Sequence, residues 1–484
     1  MNGRYVWSGL LGLLLLAGQT YSLAWGTTAV TGWPLVLDWS AGGTEQGGQM
    51  GTAVAGGDFN GNGHTDLVIG VPKYSQDAYR SGAVFVYYGI AQGWPDEPDQ
   101  ILSVPQSATR FGTVVAVADV NGDGFDDLLV GAPEYHNGDV RSGAIFLFYG
   151  SAAGLAAEPG WQMVSSQAGS QFGLSVAAAG DLNGNGYFDL VAGAPWYNLT
   201  EAGGGAAFVY YGSVTGPGLG ADWAAGIDQA GALFGQSVAT AGDLNGDGLA
   251  DLVIGAPQYS EAGEKVGAAF VYYGSASGLP LTPDWTAVGP QVDGRFGQAV
   301  AGAGDVNGDG YADLLVGATR ISQQHEREGA VYLYQGGAAG LGQTANWVAY
   351  GKQAWSGWGT AVAGAGDLDG DGYADIVIGA PFYTDDQSAE GGVFVFRGTA
   401  AGLRAQPTWV AWGNKSETEF GTAVTGVAVA RTAGEPPPQI LVGAPGYRKG
   451  EIIIGWSFLY HAPPVVDLDH TIFLPLITSE TSSH

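Results

Sequence analysis

Short apolar segments recur along this chain in pairs, and an acidic, glycine-rich loop separates the two members of each pair. In residues 234–259, two apolar runs, 237–241 and 252–254, flank the loop 243–251. Apolar runs of this length, bounded by Gly and Asp, predict β-strands rather than helices. The stretch therefore predicts a β-hairpin with a polar loop at its tip.

Versions of this hairpin occur seven times at a nearly constant period. The first strand opens with a Phe-Gly pair, as at 234–235, and the second strand ends in Gly-Ala-Pro, as at 255–257. Six of the hairpin loops begin with an aspartate, and successive ones are 61 or 62 residues apart: Asp58, Asp119, Asp181, Asp243, Asp305 and Asp367. Such regular spacing predicts one architecture built from copies, without inserted domains.

The remainder of each unit predicts two more strands. A third strand follows the pattern GAxFVYYG, as at 267–274, and a fourth carries a Trp in most copies. Four antiparallel strands in about 60 residues, repeated seven times, predict an all-β fold, a seven-bladed β-propeller of four-stranded antiparallel blades. A parallel β-helix is the alternative, although its repeats are shorter and lack the hairpin.

The two ends of the repeated region predict how the ring closes. The seventh unit, from residue 420, lacks a Trp-bearing fourth strand, whereas an unpaired strand-like run with an Asp-Trp pair stands at 35–40. We expect this N-terminal strand to close the ring as the outer strand of the last blade. The predicted domains are a signal peptide at 1–24, the propeller at 33–461 and a C-terminal tail at 462–484.

Each of the six acidic loops carries oxygen-bearing side chains at positions 1, 3, 5 and 9 and a Gly at position 6. Glycine permits a turn with positive φ, and several hard donors around one point suit a metal ion. The predicted ligands are these side chains and the main-chain oxygen at position 7: Asp58, Asn60, Asn62, His64 and Asp66; Asp119, Asn121, Asp123, Phe125 and Asp127; Asp181, Asn183, Asn185, Tyr187 and Asp189; Asp243, Asn245, Asp247, Leu249 and Asp251; Asp305, Asn307, Asp309, Tyr311 and Asp313; and Asp367, Asp369, Asp371, Tyr373 and Asp375. All-oxygen donation favours Ca²⁺ over zinc or copper, and Mg²⁺ prefers stricter octahedral geometry. We therefore predict about six Ca²⁺ sites.

Asp, Asn and Gly also favour turns that bind nothing, but six copies with one spacing favour the metal interpretation. The number of carboxylates at the predicted ligand positions ranks the loop at Asp367, with four, as the tightest site, and the loops at Asp58 and Asp181, with two each, as the weakest. The seventh loop, 430–438, has Arg431 and three prolines where donors would stand and predicts no metal.

The charge and composition exclude several kinds of partner and chemistry. A net charge of −30 with 16 Lys and Arg disfavours nucleic acid and anionic membrane surfaces. The 484 residues contain no Cys, which excludes disulfides and thiol catalysis. Arg4 before an apolar run at 10–17 predicts a signal peptide, and no other stretch is a candidate membrane span. We expect a secreted or cell-surface, extracellular monomer.

The Phe-Gly and Gly-Ala-Pro motifs around an Asp-rich hairpin loop resemble the FG-GAP repeats of integrin α-subunit N-terminal β-propellers. The resemblance covers residues 35–460. It implies a seven-bladed propeller, calcium in the loops between first and second strands, and extracellular work in adhesion or recognition. The chain differs in having six metal loops, no Cys and no integrin leg domains. It is therefore more similar to the freestanding propellers of bacterial secreted proteins.

Ligand specificity is expected where the copies differ. The loops between second and third strands, such as 260–266 and 322–328, vary and are predicted to lie opposite the metal loops. Tyrosines just after the Gly-Ala-Pro motifs, Tyr259 among them, could stack on sugars, but their constancy favours packing. No catalytic motif is present, and we predict no catalytic residues.

The predicted function is a calcium-stabilised extracellular module for adhesion to, or binding of, a protein or glycan ligand. A lectin-like carbohydrate-binding propeller and a polysaccharide-acting hydrolase or lyase are the alternatives.

Overall fold

The second strand of each unit is buried along its whole length, which explains why its sequence is almost wholly apolar. In Asp251–Ala256 all six residues are buried, as expected for a strand covered on both faces and paired on both edges. A computed structural model describes residues 35–75, 78–427 and 438–461. The predicted signal peptide and tail, and most of the seventh loop, lie outside these residues.

Seven antiparallel sheets of four strands each form the blades, which we number 1 to 7 by their first strands. The first strands are Ala53–Gly57, Val114–Ala118, Ser175–Gly180, Ser237–Gly242, Phe296–Gly304, Ala361–Gly366 and Ala423–Val427. The second strands are Asp66–Val71, Asp127–Ala132, Asp189–Ala194, Asp251–Ala256, Asp313–Ala318, Asp375–Ala380 and Gln439–Ala444. The third strands are Ala83–Tyr87, Ala144–Phe148, Ala206–Tyr210, Ala268–Tyr272, Ala330–Tyr334, Gly392–Phe396 and Trp456–His461. The fourth strands of blades 1 to 6 are Gln100–Ser103, Trp161–Val164, Trp223–Ala225, Trp285–Val288, Trp347–Tyr350 and Trp409–Trp412.

The fourth strand of blade 7 is the N-terminal strand Val36–Gly42, which pairs with Trp456–His461 at the outer edge of the sheet. The first strand of each blade packs against the first strands of both neighbours, and that of blade 7 packs against that of blade 1. The ring is therefore closed, and the predicted seven-bladed propeller with its N-terminal closing strand is confirmed.

Three loops between second and third strands contain small two-stranded hairpins. These are His136–Asn137 with Val140–Arg141, Ser260–Glu261 with Glu264–Lys265, and Arg448–Lys449 with Ile452–Ile453. The part of the chain that the structure describes contains no helix, and hence none there that could cross a membrane.

The Phe-Gly and Gly-Ala-Pro motifs meet at each interface between blades. A β-carbon added to Gly255, at the end of a second strand, would overlap the carbonyl oxygen of Gly297 in the next blade. The same relation holds at the other six interfaces: Gly70 with Gly112, Gly131 with Gly173, Gly193 with Gly235, Gly317 with Gly359, Gly379 with Gly421, and Gly443 with Gly51. The repeated glycines thus allow two backbones to touch.

The repeated tryptophans join the outer parts of neighbouring blades. The ring of Trp223, on a fourth strand, packs edge-on against Tyr272 of the next blade at 5.0 Å between centroids. Its indole Nε1 donates a hydrogen bond to the carbonyl oxygen of Pro280 at 2.8 Å. Trp39 of blade 7 makes the equivalent contacts with Tyr87 and Pro95 of blade 1, so the N-terminal strand also seals the last interface.

We expect the substitution Gly255→Ala to destabilise the protein by about 1–3 kcal/mol, because the new methyl group would overlap the backbone of Gly297. Gly220→Ala is the matched control, since open space surrounds that position, and its free energy of unfolding should change by less than about 0.5 kcal/mol. Urea unfolding measures both. Equal stability of the two variants would contradict the packing argument.

Candidate metal centres

Each Asp-rich loop folds around the carboxylate at its first position. In blade 4, Asp243 Oδ1 accepts hydrogen bonds from the amides of Gly246 at 2.6 Å and Asp247 at 3.1 Å. Asp243 Oδ2 accepts one from Gly248 at 2.8 Å. Gly246 and Gly248 both have positive φ, which turns their N–H groups inward, as the requirement for Gly at position 6 predicts. The loop thus carries a fixed concave wall of oxygens.

The side chains at positions 3 and 5 extend this wall. Asn245 Oδ1 accepts the amide of Asp247 at 2.9 Å, and Asp247 Oδ1 accepts the amide of Leu249 at 2.9 Å. Three of these hydrogen bonds recur in the loops of blades 1, 2, 3, 5 and 6. In each loop the side chains at positions 1, 3 and 5 accept the amides of positions 6, 5 and 7, respectively. The six loops therefore share one conformation, as their common spacing predicts.

The aspartate at position 9 has a second structural role that the sequence analysis missed. Asp251 is fully buried, and its Oδ2 accepts the amide of Leu244 within the loop at 2.8 Å. Its Oδ1 accepts the amide of Gly274, which follows the third strand, at 2.9 Å. All six blades repeat both bonds. The only sequence signal was the constant Gly after the third strand.

Burial makes this carboxylate hard to ionise. The pKa of Asp251 is raised to about 7, mainly by desolvation and also by the charges of Asp247 and Asp243, although the two amide hydrogen bonds oppose the shift. Burial likewise raises the pKa to about 7 for Asp66, Asp127, Asp189 and Asp375, and to about 6 for Asp313. A nearby cation would favour the ionised form. In each of the six loops, the buried carboxylate and the other oxygen donors thus fit a hard divalent cation.

Neighbouring loops are tied to one another. The ring of Tyr311, at position 7 of the loop of blade 5, covers Gly246 at position 4 of the preceding loop, so that a β-carbon there would overlap it. The amide of Ala312 donates to the carbonyl oxygen of Asp243 at 2.9 Å. Phe125, Tyr187 and Tyr373 cover the equivalent glycines Gly61, Gly122 and Gly308 in the same way. Ordering one loop therefore supports the next.

Blade 6 shows how the predicted side chains converge. Oxygens of Asp367, Asp369 and Asp375, at positions 1, 3 and 9, lie within 4.8 Å of one another. No other three acidic or His side chains among the described residues come as close. Asp371, at position 5, is not part of this group, and its Oδ1 accepts the amide of Tyr373 at 3.1 Å. In the other five loops position 3 is an asparagine, so the same arrangement there has one carboxylate fewer.

An arginine that the sequence analysis did not consider contacts the blade 6 loop. Arg397, just after the third strand, forms an ion pair with Asp369. The equivalent residues of blades 1 to 5 are uncharged: Tyr88, Tyr149, Tyr211, Tyr273 and Gln335. Part of the acidic charge in this loop is therefore balanced within the protein. The carboxylate count alone overstates the charge available to a cation there, and the ranking of the sites stays a prediction.

Blade 7 has a neutral residue where the others have the buried aspartate. Gln439 begins its second strand, is buried, and donates through Nε2 to Asp38 Oδ2 at 3.2 Å. The first strand of this blade ends at Val427, and the predicted metal-free loop falls mostly outside the described residues. The absence of metal there remains a prediction.

The tyrosines after the Gly-Ala-Pro motifs serve in packing, as their constancy predicts. Tyr259 packs edge-on against Phe270 of the third strand at 5.6 Å between ring centroids, and Tyr383 is fully buried against Phe394. Tyr74, Tyr135 and Tyr197 make the same contact with Phe85, Phe146 and Phe208. Tyr383 is buried and the other four rings are partly buried, each packed against the core.

Comparison with known proteins identifies the repeat. A model of the FG-GAP repeat matches six segments, 50–87, 111–148, 172–210, 234–272, 296–334 and 358–396. Each runs from the Phe-Gly position of one of blades 1 to 6 to the end of its third strand. Blade 7 lies outside the matched segments.

Integrins and a phospholipase are among the similar proteins. Integrin alpha-8 of Mus musculus is 36% identical over 254 residues, which cover 50% of this chain and 22% of the integrin. Integrin alpha-4 of Xenopus laevis is 35% identical over 216 residues, or 44% of this chain and 20% of the integrin. Phosphatidylinositol-glycan-specific phospholipase D of Homo sapiens is 28% identical over 398 residues, or 72% of this chain and 46% of the phospholipase. The chain thus spans about a fifth of the integrins and less than half of the phospholipase.

We expect Asp251→Asn to destabilise the protein by about 1–3 kcal/mol even in the presence of a chelator. An asparagine offers only one acceptor oxygen to the two buried amides of Leu244 and Gly274, and its own NH₂ group would face a donor. Urea unfolding in EDTA at pH 8 measures the effect without metal.

Asp247→Asn is the matched control. Its side chain is exposed, and Asn185 in the same position of blade 3 keeps the equivalent hydrogen bond, to the amide of Tyr187, at 2.9 Å. The control should change the free energy of unfolding by less than about 0.5 kcal/mol in EDTA. If Asp251→Asn were equally mild under these conditions, the hydrogen-bonding role of position 9 would be wrong.

Proposed function

Because this chain belongs to the FG-GAP repeat proteins and has a propeller like that of integrin α-subunits, we propose that it is a calcium-stabilised extracellular binding module. In this proposal Ca²⁺ orders the six acidic loops, and the opposite face of the ring binds a protein or glycan ligand. The chain itself performs no catalysis.

Calcium in the six loops is a structural element in this proposal. The oxygens at positions 1, 3, 5 and 9 and the main-chain oxygen at position 7 would hold the ion, which supplies the positive charge that the buried aspartates lack. The donor set is wholly oxygen, which suits Ca²⁺. Because each loop also bonds to its neighbour, as Ala312 does to Asp243, a bound ion would strengthen contacts between blades.

The two faces of the propeller differ in how far the copies vary, and this observation carries the binding proposal. We use the name acidic face for the end of the propeller that contains the turns between third and fourth strands and the six acidic loops: 58–66, 119–127, 181–189, 243–251, 305–313 and 367–375. We call variable face the opposite end. It is formed by the loops between second and third strands, such as 257–267, and by the segments before each first strand, such as 289–295. On the acidic face one loop recurs six times. On the variable face the residues that follow the Gly-Ala-Pro positions are all different: Lys73, Glu134, Trp196, Gln258, Arg320, Phe382 and Gly446.

The positive charges follow the same division. Of the 14 Lys and Arg in the described residues, all but Arg397 and Arg404 lie on the variable face: Lys73, Arg80, Arg110, Arg141, Lys265, Arg295, Arg320, Arg327, Lys352, Lys415, Arg448 and Lys449. A face with varied charges and several exposed aromatic rings, among them Trp196 and Phe382, suits recognition of a specific partner.

The proposal also includes an extracellular localisation and a monomeric state. The signal-like N-terminal segment supports export, and calcium would take the stabilising role that disulfides have in many secreted proteins. The acidic surface supports solubility. Similarity to integrins points in the same direction.

The enzymatic alternative has one observation in its favour, the similarity to a phospholipase D. Because the chain matches less than half of that protein, the similarity does not carry its activity over. Most of the paired carboxylates lie in the acidic loops, and the proposal assigns them to metal binding. Turnover of phosphatidylinositol-glycan anchors or polysaccharides by the purified chain would contradict the non-enzymatic proposal.

Removal of calcium should lower the melting temperature of the protein. Each site contributes about 2.7 kcal/mol when free Ca²⁺ is 100-fold above its dissociation constant, so EDTA should cause a large shift that added Ca²⁺ reverses. Differential scanning calorimetry in EDTA, Ca²⁺ and Mg²⁺ measures it, and elemental analysis should find about six Ca²⁺ per chain. Asp243→Ala should remove one ion. An unchanged melting temperature together with absent calcium would rule out the metal role.

Ligand binding should depend on the variable face and not on the acidic loops. We expect the immobilised, calcium-loaded protein to retain a partner from extracellular material, and replacement of loop 322–328 or 260–266 by a Gly-Ser segment to reduce retention. Replacement of the exposed Leu219 and Leu281 by Ser, in turns between third and fourth strands on the acidic face, is the control and should leave it unchanged. If only the control variant lost retention, the binding surface would lie on the acidic face and the proposal would be wrong.

A further inference from the structure

Three positions of the repeat lie on the variable face, and in blade 2 their side chains are in contact. The first directly precedes the Phe-Gly pair, the second follows the Gly-Ala-Pro motif, and the third stands two residues before the Gly that opens the third strand. In blade 2 they are Arg110, Glu134 and Arg141, and in blade 5 they are Arg295, Arg320 and Arg327. The last two positions are seven residues apart in both blades, so the comparison needs no gap in this loop.

Blade 2 pairs both of its arginines with one internal carboxylate. Arg110 Nε lies 3.1 Å from Glu134 Oε1, and Arg141 Nη1 lies 3.1 Å from Glu134 Oε2. One carboxylate thus bridges two guanidinium groups. Two arginines and one glutamate leave a net charge of +1 at this site.

Blade 5 has an arginine in place of that bridging glutamate. The amide of Arg320 donates to the carbonyl oxygen of Gly294 at 3.1 Å, which places its chain segment beside that of Arg295. The pKa of Arg295 is lowered by burial and then by the nearby charges of Arg320 and Arg327, whereas the charge of Asp293 raises it. Blade 5 therefore has three arginines at the three positions where blade 2 has two arginines and a glutamate.

No carboxylate among the described residues forms a close ion pair with this cluster. None of its three side chains is within 4.0 Å of a carboxylate oxygen among the ion pairs of the described chain. Glu328, the closest buried acid in sequence, uses its Oε1 to accept the amides of Gln323 and Gln324, each at 2.7 Å. Asp293 and Glu326 are exposed to solvent. In a chain with a net charge of −30, three neighbouring arginines without such a partner are unexpected unless an external anion binds them.

Exposed aromatic rings lie beside the cluster. Arg327 Cζ is 4.4 Å from the ring centroid of Trp355, which fixes that guanidinium by a cation–π contact. Trp355 is still 50% exposed, and Phe382 is 48% exposed. The amide of Phe382 donates to the carbonyl oxygen of Ser356 at 3.0 Å, so both rings belong to one patch at the junction of blades 5 and 6.

We propose that Arg295, Arg320 and Arg327 form a binding site for the sulfate or carboxylate group of an anionic polysaccharide, with Trp355 and Phe382 packing against its sugar rings. The inference rests on the proposed function in that it assigns a ligand class to the variable face. Guanidinium groups bind such oxyanions with paired, charge-assisted hydrogen bonds. The apolar faces of pyranose rings suit exposed aromatic side chains, which distinguishes a glycan from a bare phosphate or a phosphopeptide.

The test measures binding of four probes to the full, calcium-loaded chain by isothermal titration calorimetry. The probes are dextran sulfate, polygalacturonate, neutral dextran and inorganic sulfate. We expect at least one anionic polysaccharide to bind, with an affinity that falls as salt is raised, and neutral dextran not to bind. Binding of dextran sulfate alone identifies a sulfate ester as the recognised group, and binding of polygalacturonate alone identifies a carboxylate.

Arg320→Gln and Arg141→Gln are matched variants, because each removes one positive charge from the variable face. Arg320→Gln should weaken polysaccharide binding roughly tenfold or more, whereas Arg141→Gln should leave it unchanged. Arg320→Glu, which restores the arrangement of blade 2, should abolish binding and keep the melting temperature. Trp355→Ala should weaken binding of the polysaccharide and leave that of inorganic sulfate unchanged.

Equal binding by wild type and Arg320→Glu, or no binding of either anionic polysaccharide, would overturn the site. Selective binding of a phosphorylated peptide at these arginines, without binding of a glycan, would overturn the assignment of the ligand class. A chain that loses stability in EDTA and yet fails these binding tests would retain the calcium proposal, so the two failures are distinguishable.

Discussion

Close backbone contact between neighbouring blades is the constraint on which the rest of this propeller depends. Gly255 lies so near the carbonyl oxygen of Gly297 that a β-carbon has no room. The same contact occurs at all seven interfaces, including Gly443 against Gly51, where the two ends of the ring meet. A ring closes without gaps only if its interfaces are alike, which explains why these glycines recur while residues a few positions away vary.

A second recurring interaction, the buried aspartate, joins the blades to the proposed metal sites. Asp251 holds its own loop and the end of the third strand through two amide hydrogen bonds. Burying a carboxylate opposes its ionisation, which the pKa of about 7 reflects. A cation in the loop would remove that penalty and so couple metal binding to stability. The aspartate thus belongs both to the scaffold and to the proposed ion site. The effect of a mutation on stability therefore separates the two roles only when it is measured with the metal removed.

The same architecture leaves the variable face free to change. Its residues stand on loops whose backbones are held at both ends by the blades, so side chains can be exchanged without disturbing the ring. Blades 2 and 5 illustrate the consequence, since Glu134 and Arg320 occupy the same position in two loops of equal length. One choice closes a charge network within the protein, and the other leaves three arginines for an external group. In our proposal, binding on this face depends on single side chains at repeated positions.

The sequence by itself determined the blade number, the four-strand unit, the closing N-terminal strand and the common conformation of the six loops. These follow from periodicity, because a pattern repeated at 61 or 62 residues reports the local hydrogen bonding and packing that every copy must satisfy. Only the tertiary structure decided which residues from different parts of one unit meet. The pairing of Arg397 with Asp369, the bridge from Asp251 to Gly274 and the cluster around Arg320 each join residues far apart in the repeat. Periodicity can show that a position is constant, as at Gly274, but not which residue it meets, because that depends on how strand ends and loops are brought together in space.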